Sequence, residues 1–267
     1  MQPRYQQFQP IEAFRPLVDA YWINRPDAAP FDRVLPDGCI DLVFRGGAGD
    51  ARLFSSALVE RPIFLTGRNS AWFVGVRFRP AMARAILDVE PVDCRDRDIP
   101  VGVFDARFRL LEEELQECAS PEQALAILKR AIDTRLAQGG HRVAPARVRE
   151  ALRLLARGGD DGHVRGVARA LGIAERSLHR DLKRWSGLGP KSMARILRMQ
   201  RAMKAIRAGQ MPLADLALQM GYADQAHMTR ELKILTGFTP AEIAPRAFVR
   251  NLQDARSAPS YVSTYVS

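Results

Sequence analysis

Histidine is missing from the first 140 residues; the four in the chain are His141, His163, His179 and His227, none closely paired. A metal-holding β domain needs clustered imidazoles, so this absence argues against a metal site there. Cysteine is sparse: Cys39, Cys94 and Cys118 among 267 residues, with no paired spacing. That excludes a disulfide scaffold and fits a reducing, cytoplasmic setting. The three read as small core or surface residues, with a redox-sensing thiol as the lesser alternative. No uncharged apolar run approaches the roughly 18 residues that span a bilayer, so no membrane partner is expected. The start, "MQPRYQQFQPIEAF", has no signal-peptide core. Walker, dinucleotide and Gly-x-Ser-x-Gly motifs are all lacking. Asp37, Cys39 and Asp41 cluster on one candidate strand, but no His lies near them in sequence. Neither catalytic residues, nor a metal, nor a cofactor is expected, and the chain is read as no enzyme.

What is present is a lopsided charge. Residues 1–140 carry 18 Lys and Arg against 20 Asp and Glu, a net of −2; residues 141–267 carry 22 against 10, a net of +12. The basic half suits a polyanion, most simply nucleic acid. Length allows one or two domains.

Residues 30–80 favour short strands separated by Gly and Pro. In "CIDLVF", Ile40, Leu42 and Phe44 share one face, and Cys39, Asp41 and Val43 the other. In "AWFVGVRF", Trp72, Val74, Val76 and Phe78 oppose Phe73, Gly75 and Arg77. "RLFSSALV" and "RPIFLTG" are further candidates, so a small sandwich or barrel is expected. Met82, Ile86 and Leu87 predict a short helix ending before Pro91. Two stronger helices follow, at about 105–118 and 122–137, the second capped by Ser120 with Pro121 at its first position. "AQGGHRVAPA" breaks the pattern near 138–145, where the charge also changes sign. The fold class expected is α+β: a β-rich sensor or regulatory domain over 1–140 with a helical hairpin at about 105–137, an all-α domain over 146–245, and a flexible tail over 256–267. The hairpin is read as packing on its own domain or as a dimerisation surface.

The helical half contains a repeat. "VARALGIAERSLHRDLKRWSGLGP" (167–190) resembles "LALQMGYADQAHMTRELKILTGFTP" (216–240). Ala168, Gly172 and Ala174 match Ala217, Gly221 and Ala223 at an offset of 49; Arg180, Leu182, Lys183, Gly187 and Pro190 match Arg230, Leu232, Lys233, Gly237 and Pro240 at an offset of 50. Leu178/Met228, Asp181/Glu231 and Ser186/Thr236 are conservative pairs. Each copy has what a helix-turn-helix requires: a small residue where the helices cross, a glycine able to take positive φ, and an apolar anchor on the second helix. Asp224 is placed to cap the second copy, whereas the first has Ala174. Between them, Met193, Ile196, Leu197, Met203 and Ile206 form the inward stripe of a helix of about 18 residues, roughly 27 Å long. That is comparable with the roughly 34 Å between successive major-groove faces on one side of a duplex.

With its glycine, aromatic, acidic cap, Gln and closing Gly-x-x-Pro, "GYADQAHMTRELKILTGFTP" resembles the second motif of AraC/XylS-type transcriptional regulators. The resemblance covers 146–245, with Met228 and Leu232 where the family usually has Phe, and Ala174 where it has a hydroxyl cap. "LPDGCIDLVF", "GVRFRP" and "RDRDIP" are similar to an uncharacterised cupin-like domain fused to some of these regulators. Alignment with the family motif puts Arg176, His179 and Arg180 of the first recognition helix, and Gln225, Ala226, His227, Thr229 and Arg230 of the second, in base-reading positions. Arg and Gln suit guanine and adenine edges; a solvated helix face is the alternative, and Arg180 and Arg230 also qualify as phosphate or fold-holding residues. Lys183, Arg195, Arg198 and Lys233 are candidates for phosphate. Trp22, Asp41, Trp72 and Arg77 are candidates for an effector pocket, or else sheet core.

A sequence-specific DNA-binding transcriptional regulator is therefore expected, its N-terminal domain sensing a small molecule or mediating self-association. The partners implied are double-stranded DNA, an unidentified small-molecule effector, a second copy in a homodimer, and RNA polymerase. Two other readings remain: a small-molecule-binding or enzymatic β domain with a basic appendage for non-specific polyanion binding, and a protein-interaction scaffold. Only specific readout calls for a duplicated geometry.

Overall fold

The structure is a computed structural model that describes residues 5–25, 31–47, 49–66, 71–103, 105–139, 141–159, 162–209 and 211–244. The expected tail over 256–267 lies outside the described residues.

Strands β1 (Tyr5–Phe8), β2 (Val18–Asn24), β4 (Ile40–Gly46), β5 (Arg52–Ser55), β7 (Trp72–Phe78) and β8 (Ile99–Pro100) form an antiparallel sheet in the order β1-β2-β7-β4-β5-β8. Strands β3 (Phe31–Val34) and β6 (Ile63–Thr66) pair as a second, two-stranded sheet. Alternation read from the sequence matches the side-chain faces. Leu42, Phe44, Val74, Val76 and Phe78, joined by Tyr21 and Ile23, belong to the main buried core. Strand β2 escaped the sequence reading because "VDAYWIN" is buried on both faces and shows no polar alternation.

Two helices, α1 (Ala106–Gln116) and α2 (Pro121–Ala137), cover that core face. Asp105 caps α1 by accepting from the Arg107 amide at 2.9 Å, and Ser120 caps α2 by accepting from Gln123 at 3.3 Å. Phe108, Leu111 and Leu115 of α1 and Leu125, Leu128, Ile132 and Leu136 of α2 are buried, and Tyr21 Oη donates to Asp133 Oδ1 at 2.5 Å. The short helix expected at Met82–Leu87 is only a 3-10 turn, Ala83–Ala85. Ala81, immediately before Met82, takes a positive φ of 68°, outside the right-handed helical region.

The second half is helical: α3 (Ala146–Arg157), α4 (Val164–Ala170), α5 (Glu175–Ser186), α6 (Pro190–Ala208), α7 (Leu213–Gln219), α8 (Gln225–Thr236) and α9 (Pro240–Ile243). The β-rich half docks where α5 ends and α6 begins. Gly187, at φ 76°, leaves no room for a side chain: a Cβ there would lie 2.6 Å from Leu58 Cδ2 and 2.7 Å from the Pro91 carbonyl oxygen. The Arg84 guanidinium lies 5.2 Å from the centroid of the Trp185 ring, and Ser192 Oγ donates to Glu60 Oε2 at 2.5 Å.

Candidate nucleic-acid interface and ligand cavity

The two halves of the repeat fold alike. Gly172 (φ 63°) and Gly221 (φ 81°) terminate α4 and α7, after which the Ile173 amide donates to Ala168 O at 3.0 Å and the Tyr222 amide to Ala217 O at 2.9 Å. Leu178, Leu182, Met228 and Leu232 are buried, so Met228 and Leu232 fill the places where the resembled family has Phe. Ser186 Oγ donates to Leu182 O at 2.8 Å and Thr236 Oγ1 to Leu232 O at 2.7 Å, and each hydroxyl also accepts the amide two residues on. Asp224 caps α8 by accepting from the His227 amide at 2.6 Å, while Ala174 gives α5 no side-chain cap.

One acidic pair matched between the two copies acquires a specific role. Asp181 and Glu231 sit at matching positions, and both are buried. Each is held by arginine from the helix preceding its motif. Arg147 Nε of α3 donates to Asp181 Oδ2 at 2.7 Å; Arg195 Nε and Arg198 Nη2 of α6 donate to Glu231 at 3.2 Å and 2.7 Å. Each unit is therefore three helices, α3-α4-α5 and α6-α7-α8, with a carboxylate pinning the last helix to the first. Arg198 also stacks on Tyr222, 4.6 Å from the ring centroid. Arg198, expected on phosphate, turns its hydrogen-bonding edge to Glu231, and its side chain is 19% exposed. Arg195 shares that carboxylate but remains 40% exposed. Arg201 is likewise internal, donating to the Leu155 and Ala156 carbonyls at 3.1 and 2.7 Å.

The outer face is different. Arg176, His179, Arg180 and Lys183 are exposed along α5, and Gln225, Ala226, Arg230 and Lys233 along α8. Two of the expected readers are partly engaged: His227 Nδ1 accepts from the Ala223 amide at 3.3 Å and stands edge-on to Tyr222, and Thr229 Oγ1 donates to Gln225 O at 2.9 Å. The linking helix, α6, has 19 residues.

Within the β-rich half, the sheet face turned away from α1 and α2 borders a cavity of about 380 Å³, with Val34 and Ile63 of the small sheet among its walls. Strand register arranges its floor in three rows. Asn24, Phe73, Arg45 and Arg52 form the first; Trp22, Gly75, Val43 and Phe54 the second; Arg77 and Asp41 lie in the third. The Trp22 indole lies across Gly75, where a Cβ would come within 2.4 Å of its ring. Trp22 Nε1 donates to Asp41 Oδ2 at 2.9 Å. Arg77 donates to both Asp41 oxygens at 3.3 Å and lies 3.5 Å from Asp37 Oδ2. Burial, offset in part by Arg77 and reinforced by Asp37, raises the Asp41 carboxyl to about 6. Burial also pushes the Cys39 thiol well above its usual value.

Trp22, Asp41 and Arg77 are thus brought together, and Trp72 is not. Trp72 belongs to the opposite face, where it packs on Phe44 at 5.8 Å between centroids and over Gly46. The period-two alternation already separates it from Arg77, five positions along the same strand. Sequence reasoning missed Asn24, Arg45, Arg52, Phe54 and Phe73; only β2 pairing with β7, and β7 with β4, gathers them.

Two exposed helices in repeated three-helix units, joined through a rigid connecting helix, define a tandem helix-turn-helix protein carrying a β-rich N-terminal domain. Residues 167–246 match the family described as a helix-turn-helix domain, and residues 6–100 match a domain of unknown function (DUF6597). Among curated proteins, the probable bifunctional transcriptional activator/DNA repair enzyme AlkA of Mycobacterium tuberculosis is 34% identical over 104 residues, 39% of this chain and 21% of that protein. The chain spans about a fifth of the length of the curated relatives it matches. Among solved structures, the C-terminal domain of AraT, a response regulator from Geobacillus stearothermophilus, is 20% identical, covering 43% of this chain and 95% of its own, with a TM-score of 0.37. ToxT from Vibrio cholerae is 11% identical, covering 90% and 97%, with a TM-score of 0.40.

Proposed function

We propose that the protein is a sequence-specific DNA-binding transcriptional regulator, acting in the cytoplasm, whose β-rich domain over 1–140 senses a small molecule and whose domain over 146–245 reads the operator. The observation that carries this reading is the duplicated exposed face: Arg176, His179 and Arg180 on α5, and Gln225, Ala226 and Arg230 on α8. A connecting helix of 19 residues is about 28 Å long, close to the roughly 34 Å between successive major-groove faces. Lys183 and Lys233, one at the matching position of each helix, are the phosphate contacts, with Arg195 contributing through its exposed portion. Selection from a random duplex library by the full chain, followed by footprinting, tests this. Enrichment of two half-sites about one helical turn apart is expected; recovery of no enriched sequence would overturn it.

The sensing role is supported by chain continuity. Ser56, Ala57 and Val59 line the cavity, and the next residue, Glu60, accepts from Ser192 in the first turn of α6. Asp37 and Cys39 also line the cavity, and a Cβ on Gly38 between them would lie 3.0 Å from Met193 Sδ. Two segments of the cavity wall therefore touch the DNA-binding half directly. A cavity-filling Val43→Trp substitution should alter operator affinity in the full chain; unchanged affinity and unchanged response to added small molecules would remove the sensing role.

A further inference from the structure

The two recognition helices have equal length and equal anchoring, so their outer faces correspond residue by residue. Helices α5 and α8 each have 12 residues. Their buried acids, Asp181 and Glu231, and their closing hydroxyls, Ser186 and Thr236, occupy matching places at an offset of 50. On the exposed face, Glu175 then stands where Gln225 does, Arg176 where Ala226 does, Arg180 where Arg230 does, and Lys183 where Lys233 does. The last two pairs are identical and cannot tell one half-site from another. His179 and Thr229 differ but are partly engaged: a Cβ on Gly189 would lie 3.2 Å from His179 Nε2, and Thr229 Oγ1 donates to Gln225 O. What distinguishes the copies is therefore the first two residues of each helix.

Residues at the start of a recognition helix are the ones that reach base edges. In the first copy, Arg176 carries only donors, which match the O6 and N7 acceptors of guanine and oppose the N6 amino group of adenine. Its neighbour Glu175 carries only acceptors, which match the N4 amino group of cytosine. The Glu175 ion pair with Arg165, at 3.4 Å, joins side chains 52% and 91% exposed, so little is lost in breaking it. In the second copy, the Gln225 carboxamide has a donor and an acceptor side by side, matching N7 and N6 of adenine. Ala226 offers a methyl group, which packs against the C5 methyl of thymine and would leave the acceptors of guanine without a donor. Neither Arg176 nor Gln225 has a side-chain hydrogen bond or ion pair among the described residues, so neither gives up a contact to reach a base.

We propose that the operator is chemically asymmetric: G·C pairs lie under Glu175 and Arg176 of α5, and A·T pairs lie under Gln225 and Ala226 of α8. A chain bound the other way round would set Arg176 on A·T and Ala226 on guanine. The asymmetry therefore also fixes the direction in which the chain lies along the duplex. The assignment rests on the DNA-reading role proposed above and adds which bases each helix takes.

The test uses full-length protein to select duplexes from a random library and then rebuilds the enriched site with base analogues. Uracil in place of thymine keeps the pairing and removes the methyl; 7-deazaguanine in place of guanine keeps the pairing and removes the N7 acceptor. In electrophoretic titrations at one salt concentration, uracil should weaken binding at least about threefold in one half-site only. Ala226→Gly should erase that difference. The guanine analogue should weaken binding by a similar factor in the other half-site only, and Arg176→Ala should erase it. In a repeated selection, Gln225→Glu with Ala226→Arg should turn the A·T half-site into a second G·C one. All these positions are exposed, and circular dichroism verifies folding of each variant. Two half-sites of like composition, or analogue effects that persist in Ala226→Gly and Arg176→Ala, would overturn the assignment and leave sequence-specific binding standing. Recovery of no enriched sequence would overturn the DNA-reading role, and the assignment with it.

Discussion

Arg198 Nη2 donates to both carboxylate oxygens of Glu231, at 2.7 and 2.9 Å, and so fastens the second recognition helix to the helix that connects the two motifs. The Glu231 side chain is 8% exposed and that of Arg198 19%. Removing Arg198 leaves the buried Glu231 carboxylate with Arg195 alone, at 3.2 Å, and losing one partner of such a pair costs far more than the intact pair is worth. Arg198→Ala should therefore destabilise the helical half by about 3 kcal/mol. The double replacement Arg198→Met with Glu231→Met should recover more than half of that loss. Chemical denaturation followed by circular dichroism measures both. A phosphate-contacting arginine would instead leave stability unchanged and lower DNA affinity alone.

Two positive-φ glycines, Gly221 at the turn within the second motif and Gly187 at the end of the first, should respond differently. Gly221, at φ 81°, has open space around the missing side chain, so Gly221→Ala should cost about 1 kcal/mol for its backbone conformation. Gly187 has φ 76° and also faces Leu58 and the Pro91 carbonyl oxygen, which is backbone and unable to rotate away. Gly187→Ala should cost at least about 1 kcal/mol more and loosen the two halves. Faster cleavage at residues 141–145 under limited proteolysis would report that loosening; identical stability losses at the two glycines would count against the docked arrangement.

The buried network around Asp41 predicts a pH response. Its carboxyl is raised from 3.8 to about 6, chiefly by burial, so the folded state holds the proton more tightly than the unfolded chain does. The associated stabilisation is complete below about pH 4 and declines as pH rises through 6. Trp22 Nε1 donates to this carboxyl, so indole emission should change with a midpoint near 6. Asp41→Asn should abolish the transition and flatten the dependence of stability on pH over the same window. A transition that persists in Asp41→Asn would assign it elsewhere.

On the recognition helices the predicted effects divide by chemistry. Arg176→Ala or Gln225→Ala should cost about 1–3 kcal/mol against the cognate site and relax specificity locally. Lys183→Ala or Lys233→Ala should weaken all sequences alike and reduce the salt dependence. Electrophoretic titration against the selected site and a scrambled duplex, at two salt concentrations, separates the classes. His227→Ala should show a mixed effect, since its Nδ1 already accepts the Ala223 amide.

Local chemistry explains why so much of the helical half was legible. Gly172 and Gly221 mark their turns through positive φ, and Leu178 and Met228 mark the buried face through helical spacing, all within a few residues. Asp181 and Glu231 could be paired with each other in the repeat, but not with their partners. Arg147 lies 34 residues before Asp181, and Arg198 lies 33 before Glu231. From sequence, Arg198 was one more cation in a basic stripe. The cavity was harder still, because its rows unite β2, β7, β4 and β5. Trp72 illustrates the limit: aromatic character suggested a pocket wall, whereas its place in the strand alternation put it in the core.

Glu60 provides the test of communication between the halves. It ion-pairs with Arg95, accepts from Ser192 Oγ, and borders a groove of about 530 Å³ that also contains Arg176, His179, Lys183 and Lys191. A carboxylate in that position opposes the approach of a DNA phosphate to the α5 face and to the start of α6. Coulomb attraction and repulsion over such distances in water-like dielectric amount to about 0.5–1 kcal/mol. Glu60→Gln should therefore raise DNA affinity about two- to fivefold at low salt and have less effect at high salt. Glu60→Gln also preserves side-chain volume, so a change in affinity reports charge rather than packing. If the substitution lowers affinity for every duplex, the Glu60 to Ser192 contact positions α6 for binding, and the repulsive role is lost. Comparing Glu60→Gln with Ser192→Ala discriminates further: releasing the carboxylate without removing its charge should give the smaller gain.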